Sequence, residues 1–270
     1  MCYCLDKIAV FLIGAVVGSF LNVCIHRMPK DKSIAFPPSH CPKCDKGIYW
    51  YDNIPILSYL VLLGRCRFCR EKISLRYPAV ELLTALVLMT LFIAFGMTPK
   101  FFAYSIMTCV LIVVAFVDWE TEEIDLNIPV GGIVASLALS FLFPSIMGSA
   151  NRAHALLGSI VGTFSGGGII LVTKNLGNIM FKEKVKKLGL ESAMGEGDIY
   201  LMAMIGSFLG WKMMLLTFVI SAFLGSILGT ILGIRDGSET IPYGPFLAAS
   251  AIISVFFGNK ILSLFSYGLF

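Results

Sequence analysis

Charge is what this sequence has least of. Only 14% of its 270 residues are Asp, Glu, Lys or Arg, against roughly a quarter in an ordinary soluble domain. With 57% apolar residues and a mean hydropathy of +0.85, so few charges exclude a water-facing surface over most of the chain. Lipid must cover the rest. No A-x-A-like site follows the apolar run 8–25, so no cleavable signal peptide is evident and the run reads as a retained anchor. A repeat of 20–50 residues is also lacking. So is the glycine fingerprint of a dinucleotide-binding fold. The net charge of +4 implies no nucleic-acid partner, because the placement of the charges reports membrane topology instead.

What is there is a series of apolar stretches. Read with a window of roughly 20 residues, they lie at 8–25, 79–96, 101–117, 128–147, 155–173, 199–210, 213–234 and 246–267. They predict an all-α integral membrane protein of about eight transmembrane helices. Sixteen of the 21 Lys and Arg fall in 26–78, 174–198 and 235–245. The positive-inside bias then places those segments in the cytoplasm and both termini outside. The chain divides into a first transmembrane helix (1–25), a cytoplasmic insert (26–78) and a multi-span domain (79–270). The basic stretch Phe181–Leu188 reads equally as an amphipathic helix on the leaflet or as a plain loop. Gly225-Ser-Ile-Leu-Gly229 predicts a close-packing helix face, and Ser165-Gly-Gly-Gly168 predicts a loosened fifth span.

The insert carries Cys41-Pro-Lys-Cys44 and Cys66-Arg-Phe-Cys69. Two CxxC turns, each aiming a pair of thiolates at one point, suit a tetrahedral Zn²⁺. A cytoplasmic location argues against lasting disulfides. Four thiolates leave no open coordination position, so the predicted role of Cys41, Cys44, Cys66 and Cys69 is structural: a staple for about 50 residues that are too few to build a robust core alone. Cys24 and Cys109 read as packing residues.

Carboxylates beside apolar runs cost more than those in loops. Asp118 sits directly on the run 101–117, whereas Glu122 and Glu123 fit a solvated acidic loop. Asp198 follows Gly195-Glu-Gly197 and opens a span of only 12 apolar residues. Such a span covers roughly 18 Å of a roughly 30 Å core, so Asp198 is expected roughly 12 Å below the surface, at a re-entrant turn. The bland alternative is a helix N-cap. Two such carboxylates on one face suit general acid/base catalysis, one holding a proton while the other activates water. They suit a proton- or ion-coupled transporter equally well.

The order of the motifs resembles the type IV prepilin peptidase family, the leader peptidase/N-methyltransferases. Gly18-Ser-Phe-Leu-Asn-Val-Cys-Ile-His-Arg-Met-Pro29 is similar to the family's opening motif. Pro37-Pro-Ser-His-Cys41, Asn53-Ile-Pro55 and Tyr77-Pro-Ala-Val-Glu81 are similar to those around its zinc loop. Met194-Gly-Glu-Gly-Asp198 resembles its GxGD motif, and Ile241-Pro-Tyr-Gly-Pro-Phe246 its C-terminal signature. The chain departs from the pattern at Trp119-Glu120 and at Asn127-Ile-Pro129, where the family often carries a further Asp. The resemblance implies that Asp118 and Asp198 are the catalytic pair of a GxGD-type aspartic endopeptidase. It implies removal of the short basic leader of type IV prepilin or pseudopilin precursors at the cytoplasmic face of the bacterial inner membrane. It also implies N-methylation of the new N-terminus by S-adenosylmethionine. For the methyl-donor site, Glu81 offers either a ligand for the donor or amine, or simply a carboxylate favoured by a helix dipole. Asn22 reads as an interhelical hydrogen bonder, and the contribution of Asp125 stays open.

Overall fold

The computed structural model describes residues 2–180, 182–187, 192, 194–236 and 242–267. Outside the segment 31–75, the described residues are almost entirely helical. Six helices are long and apolar enough to cross a membrane, and the 16-residue Asn127–Leu142 is a shorter apolar helix. This is an all-α multi-pass membrane protein, and its helices group into two compact units, residues 1–97 and 98–270.

In the first unit, α1 (Cys2–Arg27) packs along α3 (Arg76–Phe95). The insert between them has little regular structure. It holds 3-10 turns at Met28–Lys30 and Trp50–Asn53, a five-residue α2 (Leu57–Val61), and two isolated antiparallel bridges, His40 with Gly47 and Arg65 with Lys72. The bridges close two turns that repeat each other. The Cys41 N–H donates to Lys46 O and the Asp45 N–H to Cys41 O; 25 positions on, Cys66 donates to Glu71 and Arg70 to Cys66. Asp45 and Arg70 both take left-handed φ (57° and 60°). Each CxxC is thus wound into the same knuckle.

The second unit holds α4 (Pro99–Thr121), α5 (Asn127–Leu142), α6 (Arg152–Met180), α7 (Lys182–Lys187), α8 (Glu196–Asp236) and α9 (Gly244–Tyr267). Pro99 starts α4 in its first turn, where a missing N–H costs nothing. The helix runs past Asp118 and ends at Glu122, whose left-handed backbone returns its N–H to Asp118 O. α8 is broken at Gly210 (φ 74°, ψ 167°). A Cβ on Gly206 would lie 3.3 Å from Met214 Cγ, whereas eight residues of unbroken helix span about 12 Å. The chain therefore folds back at Gly210, which separates the apolar stretches 199–210 and 213–234.

Two expectations change. Ser165–Gly168 does not loosen its span, for α6 is continuous from Arg152 to Met180. Its glycines instead form the contact with α8: a Cβ on Gly162 would fall 2.0 Å from Gly206 O, and one on Gly166 2.4 Å from Met202 O. A Cβ on Gly225 would make only ordinary contact with Tyr243 (3.5 Å), so the close approach lies at Gly162, Gly166 and Gly206 and not at Gly225. Small residues permit such an approach wherever two helices cross, and sequence spacing alone does not say which set is used. The basic segment is helical over Lys182–Lys187; Phe181 and Leu188 lie outside the described residues.

Candidate functional site

In the second unit, Asp118 near the end of α4 and Asp198 in the first turn of α8 are both buried, at 5% and 6% exposure. They are close enough to interact electrostatically. A glycine N–H orients each. Asp118 Oδ2 accepts the N–H of Gly244, the first residue of α9, at 2.8 Å. Asp198 accepts from the backbone of Gly195. Asp198 is the third residue of its helix and not its N-cap, and it reaches back to the residue before the helix as the acidic member of a capping box does.

The contact with α9 demands glycine. A Cβ on residue 244 would sit 2.6 Å from Asp118 Oδ2, so any side chain there would push the carboxylate aside. The preceding Tyr243 hydrogen-bonds Ser221 through its hydroxyl (2.6 Å) and lies within the field of Asp198. Ile241 of the same motif lies outside the described residues.

Lys174 was not singled out by sequence reasoning, which counted it among loop cations. On α6 it follows Gly166 and Ile170 at four-residue steps, on the face turned to α8. Gly162 and Gly166 oppose Gly206 and Met202, and the same register brings Lys174 to the start of α8. Its side chain is only 14% exposed, its Nζ is 3.7 Å from Glu196 Oε1, and its charge is felt at Asp198. The i, i+4 spacing was the available signal, but it needed the interhelical register to be read.

Asp125 has a local task. Its Oδ1 accepts from the backbone and the side chain of Asn127 (3.0 and 2.9 Å), securing the start of α5. Glu120, Glu122 and Glu123 are exposed.

In the first unit, the Sγ atoms of Cys41, Cys44, Cys66 and Cys69 all lie within 4.8 Å of one another, with Cys41 and Cys69 at 3.9 Å. Tetrahedral Zn²⁺ with Zn–S of about 2.3 Å sets sulfurs about 3.8 Å apart, so the four thiols fit that ion. Backbone N–H groups of Cys69 and Phe68 draw the Cys66 thiol down to about 7, which favours the thiolate a metal needs. Arg67 of the second knuckle forks onto Asp52 with two 2.6 Å bonds, tying the knuckle to the Trp50–Asn53 turn and holding the Asp52 carboxyl below its usual range.

The same unit contains a cavity of about 1080 Å³ whose walls include Asn22, His26, Tyr59, Tyr77 and Glu81. Asn22 Nδ2 donates to Tyr77 O (3.0 Å) and Gly18 O (3.3 Å), joining α1 to the start of α3. Glu81 lies in the second turn of α3, beyond the reach of a simple N-terminal dipole role. Its Oε2 instead accepts the N–H of Ile56 from the insert at 2.7 Å.

Against known proteins, residues 12–95 match the profile of the Bacterial Peptidase A24 N-terminal domain, and residues 104–230 match that of the Type IV leader peptidase family. The chain is 36% identical to a prepilin leader peptidase/N-methyltransferase of Myxococcus xanthus, over 86% of its own length and 65% of that protein. It is 32% identical to proteins of the same name from Aeromonas salmonicida and Pseudomonas aeruginosa, over 93% of the chain and 91% and 90% of those proteins. No solved structure matches.

Proposed function

The chain belongs to the prepilin leader peptidase/N-methyltransferase family, and from that premise we infer that it cleaves the leader of type IV prepilin or pseudopilin precursors and methylates the N-terminus so exposed. The observation that carries the peptidase reading is the buried pair Asp118 and Asp198, brought together from two helix ends and each held by a glycine N–H. We assign the chemistry to that pair. One carboxylate takes a proton from a water molecule as it attacks the scissile carbonyl. The other, protonated, donates to the carbonyl oxygen, and the leaving amine receives a proton as the C–N bond breaks. A precursor with a basic leader in the cytoplasm and an apolar helix in the bilayer presents its scissile bond at the inner-membrane interface. There the exposed Glu120, Glu122 and Glu123 attract the leader. The transporter alternative finds no support among the relatives, which are named as peptidase/methyltransferases.

Cys41, Cys44, Cys66 and Cys69 hold a structural Zn²⁺ in this reading, supported by their sulfur spacing. Bound S-adenosylmethionine supplies a methyl group on a sulfonium; its transfer makes a C–N bond, breaks a C–S bond and releases a proton from the amine. The test is co-expression with a prepilin, followed by mass measurement of the product. Asp118→Asn and Asp198→Asn each abolish leader loss at normal expression, whereas Glu122→Gln and Asp125→Asn retain it. An Asp125→Asn enzyme as inactive as Asp118→Asn would overturn the choice of pair.

A further inference from the structure

We infer that Asn22 and Glu81 grip the primary ammonium group of the methyl donor in the cavity of the first unit. This rests on the methyltransferase reading above and adds to it a place and a recognition chemistry. At about 1080 Å³, the cavity matches the upper range of small-molecule sites and far exceeds what a terminal amine needs by itself. Two acceptors stand in its wall without the partners they call for.

The first is Asn22. It is 2% exposed, and its Oδ1 is buried with no hydrogen-bond donor among the described residues. The amide cannot be turned over to cure this. Nδ2 already donates to two carbonyls, Gly18 O and Tyr77 O, and a flip would set Oδ1 against both. A buried acceptor in a fixed orientation calls for a donor from outside the protein.

The second is Glu81, 8% exposed. It receives the Ile56 N–H and the Ser19 hydroxyl, both neutral donors. None of the described ion pairs uses it. A buried carboxylate is ordinarily matched by a cation. The link to Ile56 is moreover built on a rare conformation: Ile56 stands at φ 63°, ψ −50°, which a β-branched residue seldom takes and which clusters at ligand sites.

The two acceptors are neighbours. A Cβ on Gly18 would lie 2.7 Å from Glu81 Cα, and Asn22, one turn on, bonds Tyr77, one turn back from Glu81. Together they offer a neutral and an anionic acceptor to one group with several N–H donors and a positive charge. A primary ammonium has that chemistry. Tyr59 and Tyr77 belong to the same wall, and aromatic side chains are the kind of surface on which a flat heterocycle lies. An amino-acid sulfonium nucleoside carries all these parts.

The experiment is calorimetric titration of the zinc-loaded full-length protein with S-adenosylhomocysteine and with its deamino analogue, which lacks only the ammonium. The parent protein should bind the amine-bearing ligand at least about tenfold more tightly, the scale of a hydrogen-bonded charge. Glu81→Gln and Asn22→Leu should each remove most of that preference while leaving the deamino analogue's affinity within about threefold. The ligand comparison on the parent protein holds even if a variant folds poorly. Equal binding of both ligands by a parent that does methylate cleaved pilin overturns this inference alone. It does so most directly if Glu81→Gln raises KM for the pilin N-terminus, which would put the acceptor in the cavity. A parent that neither binds S-adenosylhomocysteine nor methylates overturns the methyltransferase reading and this inference with it.

Discussion

Two residues at the carboxylate pair have effects that can be separated by substitution. Gly244 leaves room for Asp118 by having no Cβ. Gly244→Ala should displace the carboxylate and lower kcat for leader cleavage about a hundredfold, the usual consequence of moving a reacting group by about an ångström; steady-state kinetics on purified precursor checks this. Lys174 acts through charge. Its ammonium lies 3.7 Å from Glu196 Oε1 and is felt at Asp198, and without it two carboxylates near one helix start would repel each other. Lys174→Met should therefore lower kcat/KM about fivefold or more, and adding Glu196→Gln should restore much of the loss, a coupling in the range found for contacting charges. A Lys174→Met enzyme that Glu196→Gln fails to improve would reduce Lys174 to an ordinary surface cation.

At the scale of elements, the insert and the helix crossings rest on different supports. The insert has two short bridges, two 3-10 turns and one five-residue helix, so the paired knuckles carry its order. Removing the metal with a strong chelator, or substituting Cys66→Ser, should expose the 30–75 segment to protease while the helices outside it keep their far-ultraviolet signal. The parent should hold about one Zn²⁺ per chain by elemental analysis. The knuckles were legible in the sequence because their geometry is local: ligand spacing and turn residues sit within four positions of each other. Asp118 and Asp198 were legible for a related reason, since each stands at the edge of an apolar run. The crossing of α6 and α8 was not. Gly225-x-x-x-Gly229 and the glycines at 162 and 166 satisfy the same small-residue pattern, and only the fold-back at Gly210 and the register with Gly206 decide between them. Lys174 was hidden for the same reason, as was the pairing of Asn22 with Tyr77 across 55 positions.

At the scale of the whole molecule, the two proposed sites fall on either side of one division of the chain. One family profile ends at residue 95 and the next begins at 104, and the compact units part between 97 and 98. The hydrogen bonds that hold the Asp pair come from Gly195 and Gly244, both in the second unit. The cysteine cluster and the cavity with Asn22 and Glu81 are built from residues of the first. Leader cleavage must precede methylation, because the amine to be methylated does not exist until the peptide bond breaks. Sequential order does not require a shared site, however, and the residues proposed to hold the methyl donor, Asn22 and Glu81, belong to the first unit. Asp198→Asn should thus fail to cleave a full-length precursor yet methylate a synthetic peptide that already begins at the mature N-terminus, at a rate within about threefold of the parent's, a difference of well under 1 kcal/mol in barrier. Mass spectrometry of the two substrates in parallel reads both outcomes. If Asp198→Asn loses methylation of the pre-cleaved peptide while remaining folded and zinc-loaded, the two reactions share the carboxylate pair and the assignment of one activity to each unit is wrong.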